Sequence, residues 1–109
     1  MAPKVVFRPT ASADLKSLYL YIAEQAGNER AGAYLGRLEA ACMSLRTFPE
    51  RGTLRDHVLP GLRIIGFERS ASIAFRVIDN TDTVEILRIF RRGQDIPAAW
   101  SKKRDVGQR

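Results

Sequence analysis

The sequence of 109 residues is long enough for one domain with a modest hydrophobic core and too short for two. A hydrophobic content of 45% with 28% charged residues is typical of a soluble globular chain. No apolar stretch is long enough to span a bilayer, and Arg8-Pro9 interrupts any signal-peptide core, so we expect a cytoplasmic protein without membrane contact.

The net charge of +6 results from 18 Lys and Arg against 12 Asp and Glu. Such a chain attracts negatively charged partners over a long range. Nucleic acid and an acidic protein segment satisfy this condition equally well, so the charge leaves both open.

The first part of the chain predicts one short strand followed by one helix. Residues 5–7 (VVF) favour a β-strand, which Arg8-Pro9 ends. After Pro9 the apolar residues recur at i, i+3, i+4 and i+7, which predicts an amphipathic helix. We expect Thr10 or Ser12 to cap it and Asp14 to lie in its first turn. The apolar stripe comprises Leu15, Leu18, Tyr19 and Ile22.

A second helix is predicted directly after the first. Gly27 is expected to end the first helix and Asn28 to cap the second. The second helix is predicted to stop at Phe48-Pro49, because proline cannot continue the hydrogen-bond ladder. Its apolar side comprises Tyr34, Leu35, Leu38, Ala41, Cys42 and Leu45. The short connection predicts an antiparallel helical hairpin.

The second half of the chain changes to the alternation of β-strands. Strands are predicted at 62–68, 72–78 and 83–90, joined by short turns and preceded by a loop. The predicted fold is α+β with the order β-α-α-β-β-β, a helical hairpin packed on a small antiparallel sheet. We expect a single domain over 1–100 and a polar C-terminal tail over 101–109.

Most small-molecule enzymology finds no support in the sequence. With His57 as the one histidine and Cys42 as the one cysteine, the usual metal-ligand spacings and nucleophilic triads are missing. Neither a phosphate-binding loop nor a dinucleotide motif is present, so no cofactor and no metal are predicted. The lone cysteine cannot form an internal disulfide and is expected to be a small buried apolar group.

Arginines in and around the predicted sheet remain as candidate functional groups. They are Arg63, Arg69, Arg76, Arg88, Arg91 and Arg92. If Arg76 and Arg88 lie on neighbouring strands, they project from one face, with Arg91 and Arg92 at its rim. There they could keep a sheet edge soluble, bind carboxylates of a partner, or stabilise charge during RNA cleavage.

Several segments together resemble the ParE toxins of the ParE/RelE superfamily of bacterial type II toxin–antitoxin modules. The similar segments, spread from about Val5 to about Ile96, are RPTASADLKSLYLYIAEQ, LRTFPERG, LPGLR, IAFRVID and VEILRIF. The resemblance implies a protein-binding toxin that inhibits DNA gyrase and is not an enzyme. It also implies a ParD-like antitoxin that neutralises the toxin in a hetero-oligomer and links it indirectly to operator DNA.

The superfamily also contains RelE-like ribosome-dependent mRNA nucleases, which use an arginine early in the middle strand and a tyrosine beyond the last strand. The corresponding positions here are Ser72 and a site near Ala98, so the resemblance disfavours RNA cleavage. A third reading is a degenerate toxin that only binds its antitoxin. Arg91 and Gln94 stand where many ParE members carry a histidine and a second arginine.

The predicted antitoxin- or target-binding residues follow from this resemblance. Arg88, Arg91 and Arg92 are expected in or beside the antitoxin groove, with Arg63 and Arg76 contributing. Trp100 either pins the tail on the domain or contacts the partner.

Overall fold

A computed structural model describes residues 4–78 and 81–94, and it confirms the predicted α+β architecture of a helical hairpin on a sheet. The elements are β1 (Lys4–Phe7), α1 (Pro9–Ala26), α2 (Asn28–Met43), a 3₁₀ turn (Ser44–Arg46), β2 (Thr53–Leu54), β3 (Arg63–Phe67), β4 (Ala71–Ile78) and β5 (Thr83–Arg91). Neither α1 nor α2 is long and apolar enough to cross a membrane.

The sheet has five strands in the order β1-β5-β4-β3-β2 and differs from the prediction in two details. It is mixed rather than antiparallel, because β1 pairs in parallel with β5, with Lys4 opposite Thr83 and Phe7 opposite Ile86. The predicted loop after α2 also contains the two-residue strand β2, which pairs with the start of β3. A strand of two residues is too short to show alternation in a sequence.

The first turns of α1 continue the pairing of β5 beyond the end of β1. The backbone N–H of Arg8 donates to the carbonyl of Ile86 at 2.9 Å, and the Thr10 hydroxyl donates to the carbonyl of Leu87 at 2.8 Å. Thr10 therefore serves the sheet and does not cap the helix, which begins at Pro9 without any side-chain cap. The predicted cap at Thr10 or Ser12 is wrong.

The helix junction matches the prediction to within one residue. Gly27, with a φ of 94°, ends α1, and α2 starts at Asn28 itself, so Gly27 rather than Asn28 occupies the cap position. Asp14 is the sixth residue of α1 and lies beyond its first turn, contrary to the prediction. The helical backbone ends at Arg46, ahead of Phe48-Pro49, as the proline indicated.

The main core lies between the hairpin and one face of the sheet. Leu18, Leu38 and Leu45 are buried there, and Leu15 is half-buried against them, as predicted for core positions. A second, smaller core covers part of the opposite face, where residues 55–62 pack over the sheet. It comprises Val58, Leu62, Ile64, Ala74, Leu87 and Phe90. The sheet is therefore apolar on both faces near the middle of β5.

An irregularity in β5 decides which of its arginines face the helices. Ile86 and Ile89 both belong to the helix-side core, although residues three apart normally lie on opposite faces of a strand. The register explains this, since Phe75 pairs with Ile86 and Ala74 with Arg88, leaving Leu87 as the extra residue of a β-bulge. Beyond the bulge the alternation is reversed, so that the following odd-numbered positions face the helices.

A candidate partner-binding groove

A surface groove runs between α1 and the C-terminal end of β5. It consists of two adjoining depressions of about 270 and 390 Å³ that share Leu18, Tyr21 and Arg91. The remaining lining residues are Asp14, Ser17, Ile22, Tyr34, Arg69, Ser70, Ile89, Arg92 and Gln94. We call this set the α1–β5 groove.

Arg91 and Tyr21 form the middle of the groove. The Arg91 guanidinium carbon lies 4.4 Å from the centroid of the Tyr21 ring, a cation–π contact between β5 and α1. The Tyr21 side chain is large and apolar in its body, yet the residue is 47% exposed. The Gln94 side-chain oxygen accepts a hydrogen bond from the Arg91 backbone N–H at 2.6 Å, which holds the end of the strand in place.

The hairpin turn between β3 and β4 forms one wall of the groove. Arg69 and Ser70 line it, and the Ser70 carbonyl accepts a hydrogen bond from the Arg92 N–H at 2.9 Å. The hydroxyls of Ser70 and Tyr34 are 2.6 Å apart, so this turn is tied to α2 as well as to β5. The β3–β4 turn, α2 and β5 thus bring cations and aromatic rings together in the groove.

Arg37 and Glu68 brace this wall from outside the groove. The Arg37 guanidinium donates to both oxygens of the Glu68 carboxylate, at 2.8 and 3.1 Å, and lies over the Tyr34 ring at 5.6 Å. The hydrogen bond from Arg37 lowers the pKa of Glu68, and the hydrogen bond to Glu68 raises the pKa of Arg37. Both side chains are substantially exposed, so the pair orients the turn more than it stabilises the fold.

Arg88 lies beside the groove and is already paired. Its guanidinium donates to both oxygens of Asp14 at 2.8 and 3.1 Å and lies over the Phe90 ring at 5.0 Å. Asp14 also accepts a hydrogen bond from the Ile89 backbone N–H at 2.9 Å. Asp14 lines the groove, but its charge is balanced by Arg88.

Arg76 and Arg63 lie away from the groove. Arg76 donates to Glu85 at 2.9 Å on the opposite face of the sheet, and Arg63 donates to the backbone carbonyl of Glu50 at 3.1 Å. Arg63 lies four residues before Phe67 on β3, and Phe67 lies level with Arg91 across β4. Arg63 and Arg91 are therefore about 13 Å apart along the strand direction. Trp100 lies outside the described residues.

The predicted arginines therefore divide into separate groups. The structure brings Arg91 and Arg92 together in the groove and places Arg88 next to them, but it separates Arg63 and Arg76 from this site. The register does place Arg76 and Arg88 on one face of neighbouring strands, as anticipated, with Ala74 opposite Arg88. Beyond the end of β1, where β5 has no strand partner on that side, the Arg88 side chain reaches Asp14 on α1.

Three groove residues escaped the set of site residues predicted from the sequence. Arg69 is one of the arginines around the predicted sheet but is not among the predicted site residues, because nothing in the sequence indicates that its turn approaches β5. Tyr34 belongs to the apolar side of the predicted second helix, and Tyr21 lies in the first segment that resembles the ParE toxins. Their exposure and their proximity to the arginines depend on the bulge and on the helix packing, which no local pattern reveals.

Electrostatically, the groove is suited to an acidic partner. Within the described residues, Arg69, Arg91 and Arg92 form no ion pair with a carboxylate, whereas Asp14 and Glu68 are each bound by an arginine. Unpaired guanidinium groups beside exposed apolar side chains can bind carboxylates in a forked geometry. Among residues 4–78 and 81–94, no cluster of His, Cys, Asp and Glu is able to hold a metal ion.

Comparison with known proteins identifies the family. A family model described as the ParE toxin of type II toxin–antitoxin system, parDE, matches residues 5–96. This chain belongs to the ParE toxin family. Toxin ParE3 of Caulobacter vibrioides is 30% identical over 100 residues, which cover 92% of this chain and 97% of that toxin. The chain is thus a toxin of the type II toxin–antitoxin class.

Solved structures support the same assignment at the level of the fold. A chain of the chromosomal ParDE system of P. aeruginosa has a TM-score of 0.71 and 27% identity, covering 83% of this chain and 96% of its own length. A mutant E. coli toxin RelE in the free state has a TM-score of 0.63 and 20% identity, covering 95% and 98% of the two chains. The likeness to RelE shows a shared ParE/RelE fold and nothing about activity.

Proposed function

We propose that this ParE-family toxin inhibits DNA gyrase by binding it, without catalysing a reaction, and that a ParD-like antitoxin neutralises it. The family match over residues 5–96 carries this proposal. Toxin and antitoxin form a hetero-oligomer in the cytoplasm, and operator DNA is contacted only through the antitoxin. No cofactor takes part.

The α1–β5 groove supports the antitoxin part of the proposal. Tyr21, which is 47% exposed, offers an apolar surface above the nearly buried Leu18, and Arg91 and Arg92 offer cations without a carboxylate partner next to it. An acidic and amphipathic antitoxin segment, which orders as it binds, matches both features because its carboxylates meet the arginines while its apolar side chains cover the rings. Arg63 and Arg76 stay candidates for additional contacts outside the groove, and Trp100, which lies outside the described residues, stays a candidate for partner binding.

Chemistry disfavours the RelE-like alternative. Ser72 on β4 occupies the strand position at which the resemblance implies a nuclease arginine, and it lies opposite Phe90. A neutral hydroxyl cannot stabilise the developing phosphate charge as a guanidinium does. The position near Ala98 lies outside the described residues, and its sequence offers no tyrosine.

A gyrase assay with purified toxin, released from its antitoxin, tests the proposal. Supercoiling of relaxed plasmid with ATP is expected to stop and cleaved DNA to accumulate, and addition of the antitoxin is expected to restore supercoiling. Normal supercoiling by gyrase, in the presence of toxin with a folded circular-dichroism spectrum, would reject gyrase as the target.

Two further measurements separate the alternatives. Messenger RNA cut in a translation extract that contains the toxin would favour the ribosome-dependent nuclease. Normal growth of cells that express the toxin alone, at a level confirmed by immunoblot, would indicate a degenerate member that only binds its antitoxin.

A further inference from the structure

The turn between β3 and β4 has an unusual backbone for its sequence. Glu68 and Arg69 have φ angles of 49° and 57°, and the Ser70 N–H donates to the Phe67 carbonyl at 3.0 Å. Two successive central residues with positive φ define a type I′ turn, which normally carries asparagine, aspartate or glycine. A side chain with a Cβ is strained in this region, because the Cβ approaches the following carbonyl oxygen.

Contacts around the turn explain why Glu68, one of its two strained residues, occupies its position. Glu68 forms the two hydrogen bonds with Arg37 that connect the turn to α2. Ser70 contacts Tyr34, whose ring packs edge-on against Phe67 at 5.4 Å. These contacts hold the turn in its strained form, since the turn cannot relax without breaking them.

The stability of the fold does not explain why an arginine occupies position 69. Within residues 4–78 and 81–94 its side chain has no hydrogen bond and no ion pair, and its position would be occupied by glycine or asparagine with less strain. What the position does provide is a place in the groove. Arg69 lines the same depression as Arg91 and Arg92, which reach it from a different strand.

We propose that Arg69 is a specificity-determining residue of the α1–β5 groove, held there by a strained turn so that three arginines bind an acidic segment of the antitoxin. The inference rests on the proposed antitoxin binding and adds to it a residue and a selection rule. Two cations on one strand end attract any negative charge. Arg69 adds a third cation to the same depression from a separate, braced turn, so the segment that fits best presents carboxylates to both the turn and the strand end.

The experiment compares four variants of the full toxin with the full-length antitoxin of the same module as the probe. Arg69→Gly and Arg69→Ala both remove the cation, but only glycine relieves the backbone. Arg69→Lys keeps the charge and the strain, and Arg46→Ala removes an exposed arginine elsewhere. Dissociation constants come from titration calorimetry, and the midpoint temperature of each free toxin comes from thermal unfolding.

We expect the dissociation constant to rise at least tenfold for both Arg69→Gly and Arg69→Ala and less than threefold for Arg46→Ala. For Arg69→Lys we expect an intermediate rise, because lysine keeps the charge without the fork. The midpoint temperature should rise by about 2–5 °C for Arg69→Gly and should not rise for Arg69→Ala. Added salt should reduce the affinity difference between wild type and Arg69→Gly.

Unchanged affinity of Arg69→Gly would overturn the specificity role, and an unchanged or lower midpoint temperature would overturn the strain argument. The charge reversal Arg91→Glu with Arg92→Glu distinguishes this failure from failure of the proposed function. If that reversal weakens the complex while Arg69→Gly does not, the groove stands and the role of Arg69 falls. If neither weakens it, antitoxin binding at the groove is itself wrong. Single-stranded RNA bound by wild type and lost in Arg69→Gly, with antitoxin affinity unchanged, would also contradict the inference.

Discussion

The carboxylate of Asp14 on α1 binds the guanidinium of Arg88 on β5 through two hydrogen bonds of 2.8 and 3.1 Å and also accepts the Ile89 N–H at 2.9 Å. Both side chains are largely shielded, with 18% and 24% of their side-chain surface exposed. Asp14 thus satisfies a strand N–H at the point where β1 no longer pairs with β5. This contact fixes α1 on the sheet and sets the position of one side of the groove.

Asp14→Ala is expected to lower the free energy of unfolding by about 2–3 kcal/mol, because it leaves a shielded arginine and a backbone N–H without their acceptor. Asp14→Asn keeps an acceptor for Ile89 and should cost about 1 kcal/mol less. Urea denaturation of the free toxin measures both. Equal losses for the two variants would show that the Ile89 hydrogen bond contributes nothing.

Arg88→Ala is expected to reduce stability by about 1–3 kcal/mol, since Asp14 then loses its counter-charge. The antitoxin affinity of the folded variant should change less than threefold, because the wild-type guanidinium already uses its donors inside the toxin. Calorimetric titration at a temperature where the variant is folded checks this. A tenfold loss of affinity would show that Arg88 also contributes to antitoxin binding.

Gly52→Ala is expected to destabilise the fold by about 3 kcal/mol. Gly52 has a φ of 84°, and a Cβ placed on it would lie 2.5 Å from the Ile64 carbonyl oxygen, so strain and a backbone clash combine. Gly61→Ala is the control, because its φ of 78° is similar but a Cβ there meets nothing within 4 Å. The control should lose only about 1–2 kcal/mol in the same denaturation experiment. Equal losses would contradict the clash.

Cys42 is expected to be unreactive in the folded toxin. Burial raises the pKa of its thiol to about 12, with a smaller contribution from the charge of Glu39. An unfolded cysteine has a pKa of about 8.5, so the unfolded state ionises first as the pH rises. Cys42 therefore favours the fold fully below about pH 8.5 and progressively less above it.

A thiol reagent such as Ellman's reagent at pH 8 tests this, with labelling expected after addition of denaturant and absent before it. Cys42→Ala provides the control for stability, since its unfolding free energy should fall less steeply between pH 8 and pH 10. Rapid labelling of the native toxin would mean that the thiol is accessible.

Much of the fold could be predicted because it depends on local patterns. The apolar stripes, Gly27 and Pro49 specify the helices and their ends, and the alternating runs specify β3, β4 and β5 to within one or two residues. The parallel partnership of β1 with β5 could not be predicted, because it joins residues about 80 positions apart with no local signal. The Thr10 hydroxyl was misassigned for the same reason, since its acceptor is on β5.

The candidate site could be predicted only in part. Arg91 and Arg92 are predictable because two arginines directly follow the last predicted strand. The bulge at Leu87 changes which residues of β5 face α1, and a single sequence contains no sign of an extra residue in one strand of a pair. Arg69 was missed because its importance arises from a turn conformation that the residues Glu68 and Arg69 do not favour.

The central claim is that the α1–β5 groove binds the antitoxin, and a pair of double charge reversals tests it most directly. Arg91→Glu with Arg92→Glu changes the groove, while Lys4→Glu with Arg46→Glu makes the same change in net charge at exposed positions that do not line it. We predict at least a tenfold rise in the antitoxin dissociation constant for the first variant and less than threefold for the second. Equal rises for the two variants would show that net charge, and not the groove, determines the affinity. An unchanged dissociation constant for the groove variant would contradict antitoxin binding at the groove.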